Sequence, residues 1–193
     1  MQYLKDEVKN SISAAALKEF REKGYLEASM RTIAKNAGIT VGNIYRYFPS
    51  KDELFNNIMD PVWQDVTRAI FENYNQAVDL FPITEIITAI MTIYRKYNNE
   101  LYILLHGSKG SKYENIKSGL VELITRRIEN EMVPLLEVEG RKVRDPFIFQ
   151  IISNAIVEGI YLIIKEVGES FDRVESLMEQ TMTVYVKDLV KRL

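Results

Sequence analysis

Asn43, Arg46 and Tyr47 are spaced three and four residues apart, which places side chains on one side of a helix. Asn43 brings an amide able to read the adenine edge. Arg46 brings a fork that matches the two acceptors of guanine. Tyr45, Tyr47 and Lys51 supply hydroxyls and an ammonium suited to phosphate oxygens, contacts that position a duplex without reading its sequence. For each tyrosine the alternative is core packing with the hydroxyl outward, and for Tyr45 the two readings balance. Gly42 sits among them and lets a backbone approach closely.

These side chains need a rigid support, and the stretch from Thr32 to Phe48 provides one. Ile33, Ala34 and Ala37 give a short helix an apolar face with small residues. Gly38 stands where a chain leaving a helix takes positive φ, a conformation glycine adopts at no steric cost. Ile39 plugs the corner and Thr40 caps the next helix. Ile44 and Phe48, four apart, turn one face of that helix inward, leaving Gly42, Asn43, Arg46 and Tyr47 outside. The pattern predicts a helix-turn-helix whose second helix enters the major groove.

Charge is distributed to match. No Asp or Glu occurs between Ala28 and Lys51, whereas Arg31, Lys35, Arg46 and Lys51 are basic. Through Lys51 the chain has nine Lys/Arg and five Asp/Glu, a net of +4; the remainder is net −6, giving −2 overall. The field that matters for a polyanion is that of the reading surface, not of the whole chain.

Several chemistries are excluded. The 193 residues contain no Cys and a single His, His106, so disulfides, thiolate nucleophiles and single-chain metal sites built from several imidazoles are ruled out. Glu129 and Glu131, like Glu137 and Glu139, sit two apart and point away from each other on a helix, so they form no general acid/base pair. No serine occupies a nucleophile elbow. The Gly107–Gly110 run resembles a nucleic-acid clamp or a phosphate loop but lacks the flanking strands, and an interhelical loop is the simpler reading. No catalytic residue, metal or cofactor is expected. The N-terminal residues lack an apolar signal core, and the apolar run from Pro146 to Val157 is too short to span a bilayer. A cytoplasmic protein without a membrane partner is expected.

Nearly every segment has helical periodicity. Leu4, Val8, Ile12, Ala16 and Phe20 form one stripe, closed by Gly24. Ser50 caps a helix with Asp52 and Glu53 in its first turn. At Asp60-Pro61 either a new helix begins or one long helix bends, dividing a head-proximal lever, Lys51 to Asp60, from a segment with Trp63. Pro82 opens a helix to about Tyr97, and a short follower leads to the polar break His106–Lys112. Further helices follow over Tyr113–Met132, Asp145–Val167 and Phe171–Leu193. The expected fold is all-α, about nine helices: a helix-turn-helix head over 1–49 and a helical bundle over 50–193.

From Phe147 to Ile164 hardly any polar face remains, so this helix is buried on all sides, either in the chain's own bundle or against a second copy. Ala155 and Gly159 would permit close helix approach. The self-association face expected from these two helices comprises Ile152, Ala155, Ile156, Gly159, Ile163, Val174, Met178, Thr181 and Tyr185.

The run from Ala14 to Phe55 resembles the tetracycline-repressor-like (TetR) family of bacterial transcription regulators. It carries Tyr45-Arg46-Tyr47-Phe48 followed by Lys51 and Leu54, together with Gly24, Tyr25, Ala34, Gly38 and Gly42. Ala28 departs from the pattern, where threonine is frequent, but Ser29 can cap instead. Beyond Phe55 nothing matches by motif. The resemblance implies a homodimer on a palindromic operator of double-stranded DNA, with Arg31, Thr32, Thr40, Val41, Gly42, Asn43, Tyr45, Arg46, Tyr47 and Lys51 on or beside the duplex. It also implies a body that binds a small-molecule effector.

Aromatic and polar candidates for that effector are Trp63, Tyr94, Tyr97, Tyr102, His106, Tyr113, Asn154, Glu158 and Tyr161, a set suited to an apolar or cationic molecule. For each aromatic the alternative is ordinary core packing. At the level of the whole protein, a ligand-responsive repressor competes with a DNA-bound adaptor whose body holds a protein partner and no small molecule.

Overall fold

The computed structural model describes residues 2–71 and 83–192. Among the described residues nine helices follow one another: α1 (Gln2–Glu27), α2 (Met30–Asn36), α3 (Val41–Tyr47), α4 (Lys51–Phe71), α5 (Ile83–His106), α6 (Ile116–Val138), α7 (Phe147–Val167), α8 (Phe171–Tyr185) and α9 (Leu189–Arg192). The helix start expected at Pro82 lies outside them. By internal contacts the chain divides into two compact units, Met1–Gln64 with Tyr97–Asn115, and Asp65–Lys96 with Ile116–Leu193. The division expected at 49/50 follows the motif; the compact unit that holds the motif runs on to Gln64 and recruits 97–115.

In the first unit, local chemistry sets the helix ends. Ser29 caps α2, its Oγ accepting from Thr32 N at 3.5 Å; the Ser29 N–H in turn donates to the buried Glu19 carboxylate at 3.2 Å. Gly38 takes φ 71°, with Gly38 N donating to Lys35 O and Ile39 N to Ala34 O, the paired bonds that close a helix on a left-handed residue. Thr40 caps α3 through Asn43 N at 3.2 Å, and Ser50 caps α4 through Glu53 N at 3.1 Å. α4 runs unbroken through Pro61, so no new helix starts there.

Ile12, Ala16, Phe20, Ile33, Ala34, Ile44, Leu54, Phe55 and Met59 are fully buried and form this unit's core. Phe55 meets Phe20 edge-on at 4.9 Å and Tyr25 at 4.8 Å. Gly24 (φ 71°, ψ 170°) breaks the helical path of α1, where the stripe predicted its end. The break has a long-range reason. Tyr25 N donates to Gly107 O at 2.6 Å, and a Cβ on Gly107 would stand 3.3 Å from Gly24 Cα. Two backbones meet there with no room for a side chain between them.

In the second unit, α7 packs against both α6 and α8. Phe149, Ile152, Ser153, Ile156, Val157, Ile163 and Ile164 are its buried residues. By length and composition α7 is apolar enough to cross a membrane, contrary to the short run expected from sequence; here it is a packed helix of this unit, 39% of its most apolar stretch buried. The Tyr94 hydroxyl donates to Gly168 O, and its ring meets Phe171 at 5.6 Å. The non-helical residue Tyr97 (φ −135°, ψ 33°) lies inside α5, at the place where one helix was expected to end and a follower to begin.

Candidate nucleic-acid interface

The outward face of α3 is built by the inward one. Ile44 is fully buried and Phe48 nearly so, which turns Val41, Gly42, Tyr45 and Arg46 to solvent. Thr40 is also exposed, and Asn43 and Tyr47 are half-buried. Gly38, Ile39, Thr40, Gly42, Asn43 and Arg46 line an open surface depression. Arg31 and Lys35 stand exposed on α2, with Thr32 half-buried at its start. Of the two readings of Tyr45, core packing is excluded by its exposure. The arrangement presents an amide, a guanidinium, hydroxyls and backbone on one open surface without any carboxylate from 28 to 51. It can hydrogen-bond base edges and phosphates and has no group positioned to break a covalent bond.

Lys51 is a different case. Its ammonium donates to Leu26 O at 3.0 Å and Ala28 O at 3.2 Å, and lies 4.6 Å from the Tyr25 ring centroid. It closes the chain between α1 and α2 rather than standing free for a phosphate, because the charged end of a helix-start lysine finds two carbonyls there first. The adjoining Tyr25 hydroxyl donates to Asp52, and burial together with that carboxylate pushes the phenol up to about 12. Sequence spacing gave no sign of this cluster; its members lie 23 to 27 residues apart.

The effector candidates scatter. In the first unit, Tyr113 donates to Asp60 at 2.6 Å, with Lys112 also on Asp60 at 2.7 Å, and burial raises the Tyr113 pKa. Trp63 packs 6.4 Å from that ring. Tyr102 lies between the Arg21 guanidinium, at 4.3 Å, and His106, at 4.7 Å. Tyr97 is half-buried at the break in α5. In the second unit Tyr94 is buried and bonded to Gly168. Asn154 and Glu158 are exposed: Asn154 donates to Gln150 O, and Glu158 pairs with Lys117 at 2.5 Å above the half-buried Tyr161. Asn154 and Glu158 therefore face outward instead of lining an interior.

The expected self-association face also needs correction. Ile152, Ile156, Ile163, Val174 and Met178 are buried within their own chain. Gly159 admits Thr181 of α8, whose Cγ2 would lie 3.2 Å from an added Cβ. Ala155 is half-buried, and only Tyr185 of the nine is exposed. A helix apolar all round does not reveal which side its own chain takes. Sequence reasoning missed Phe147, Ile151 and Leu162, the exposed apolar residues of α7, and Val184 on α8.

Residues 12–58 match the family of bacterial regulatory proteins, tetR family. Over this segment the chain is similar to the TetR family. The TetR-type match covers α2, α3 and most of the core around them. The HTH-type transcriptional regulator HbdR of Aromatoleum sp. (strain CIB) is 35% identical over 71 residues, 35% of this chain and 31% of that one. The match thus spans about a third of that curated relative's length. Solved structures share the fold along nearly the whole chain. A TetR-like transcriptional regulator from Rhodococcus sp. RHA1 superposes with a TM-score of 0.64 at 19% identity, covering 90% of this chain and 92% of that one. NalD of Pseudomonas aeruginosa, the secondary repressor of the MexAB-OprM multidrug efflux pump, gives 0.60 at 22%, covering 95% and 99%. The family match over 12–58 falls on the segment whose Tyr45–Leu54 run carried the resemblance, and the all-α architecture agrees with the helical periodicity of the sequence.

Proposed function

We propose that the protein is a cytoplasmic transcriptional repressor that binds a palindromic operator as a homodimer, through the outward faces of its two α3 helices, and releases it on binding a small molecule. The observation that carries the DNA part is the exposed, acid-free face of Gly42, Asn43, Tyr45 and Arg46, held by buried Ile44 and Phe48. Asn43 and Arg46 read bases; Arg31, Thr40 and Tyr47 contact phosphates. The likeness to NalD, itself a repressor, supports the sign of regulation. Exposed Phe147, Ile151 and Leu162 lie within about 60° of one another around α7 and, with Val184 and Tyr185 of α8, supply the apolar surface of the two-fold seam.

Selection of duplexes from a random pool with the purified protein tests this reading. The pool should converge on an inverted repeat with half-sites about one helical turn apart. Affinity should fall steeply with salt as counterions are displaced. A pool that stays random sinks the reading. Screening the operator complex against hydrophobic and cationic compounds tests release.

A further inference from the structure

We propose that Val41 is a specificity-determining residue that reads one thymine of each half-site through its 5-methyl group. Val41, the first residue of α3, stands at the edge of the outward face with 37% of its surface exposed. Gly42 follows it, and a Cβ there would meet nothing within 4 Å. Both residues suit a helix poorly, one by β-branching and the other by backbone freedom. Each nevertheless keeps surface open to solvent. Gly38 needs its glycine for a positive φ; Gly42 sits inside α3 with no such need. Two adjacent solvent-open positions that suit a helix poorly mark a contact made outside.

The chemistry of the surroundings identifies that contact. Thr40, Asn43 and Arg46 flank the pair, with Arg31 and Lys35 beyond and no acid between 28 and 51. The surface is built for a polyanion, yet a valine bonds neither phosphate nor a base nitrogen or oxygen. The apolar group that a major groove offers is the thymine methyl. The glycine beside it removes the bulk that would hold the valine away from the groove floor. A partly exposed valine beside Tyr45 is too small a patch to seat a protein partner.

The inference rests on the proposed role of α3 in DNA binding, and the test separates the two. In the selected operator, each thymine of one half-site is replaced in turn by deoxyuridine, which removes the methyl and keeps every hydrogen-bonding group. The wild-type protein should lose roughly fourfold in affinity at one thymine, the worth of one buried methyl. Val41→Ala, compared at a temperature where thermal melting shows both proteins folded, should lose that one sensitivity and keep the others. Replacing the same thymine by cytosine or 5-methylcytosine gives a second arm. Wild type should prefer the methylated base by a similar factor, and Val41→Ala should not. Identical deoxyuridine profiles for the two proteins, or a flat wild-type profile, overturn the role of Val41 while leaving DNA binding intact. Failure to select any duplex overturns both.

Discussion

α3 and α7 both hold apolar side chains in solvent, but they differ in everything around them. α3 is seven residues long, fixed by Ile44 and Phe48, and its exposed Val41 and Tyr45 sit among cations, amides and hydroxyls. α7 is 21 residues long and packed on both α6 and α8, and its exposed Phe147, Ile151 and Leu162 lie on a helix with few charges. The same kind of exposure therefore carries two meanings. On a short, basic, carboxylate-free edge it suits the mixed polar and apolar floor of a DNA groove. On a long helix already half-covered by its own chain, it suits another apolar surface.

The contrast breaks first, and with the largest effect, at α7. Ile151→Glu with Leu162→Glu should weaken self-association by about 3 kcal/mol or more, over a hundredfold, by burying unpaired carboxylates in the seam. Because both sites are exposed in the monomer, the thermal midpoint of dilute protein should hardly move. Sedimentation velocity at micromolar concentration should show a wild-type dimer and a variant monomer; matching profiles would move the seam elsewhere.

On the α3 side, Arg46→Ala should cost about 1–3 kcal/mol on the selected operator and much less on a scrambled duplex, if its fork reads guanine. Equal losses in anisotropy titrations on both would assign Arg46 to phosphate. Lys51→Met should act differently from Arg46→Ala. Freed of the ammonium, the Leu26 and Ala28 carbonyls lose their donor, and urea unfolding should register about 1–2 kcal/mol of lost stability. A variant of wild-type stability that binds every duplex more weakly would return Lys51 to the phosphates.

Gly42→Ala sharpens the comparison from within. It should stabilise the fold by about 0.5–1 kcal/mol through helix propensity while lowering DNA affinity. Gains in both would show that nothing approaches that spot. The smallest effect concerns Tyr25. Its phenol pKa is raised in the fold to about 12, so the folded state holds the proton more tightly. That stabilisation is fully present below the unfolded value near 10 and is lost as pH climbs through 12. Tyr25→Phe should flatten the decline between those values in alkaline unfolding; an unchanged curve would mean that the Asp52 contact carries no weight.

The features legible in sequence were those decided within a few residues. Ser29, Thr40 and Ser50 cap helices they nearly touch in sequence, and Gly38 takes the positive φ that its place after Ala37 demands. Ile44 and Phe48 set the phase of α3, so Gly42 and Arg46 could be placed outside, whereas Asn43 and Tyr47, also expected outside, are half-buried and Tyr45 is exposed. Phase was the missing quantity in α7, where apolar residues occupy every direction and only the neighbours decide which are covered. Ile152 and Ile156 were therefore assigned to the partner face and lie within their own chain, while Phe147 and Leu162, left out of that face, are exposed. The carbonyl contacts of Lys51 escaped the sequence for a related reason: they come from a turn 23 to 25 residues earlier, a distance no short motif encodes.

The pinch between Gly24 and Gly107 bears on protein engineering. DNA-binding heads invite exchange between regulators by cutting after the recognition helix. In this chain such a cut would strand the Tyr25 N–H that Gly107 O accepts at 2.6 Å, and would remove Phe55, which covers Phe20 and Tyr25. A transplantable cassette has to carry 97–115 along with 1–64, two stretches of chain for one graft. Exchange of either glycine is costly, since a Cβ on either one stands 3.3 Å from the other's backbone and Gly24 also takes a positive φ. Chimeras that respect the pinch should fold with both donor pieces; those that splice at residue 49 should yield a loosened head prone to proteolysis near Gly24.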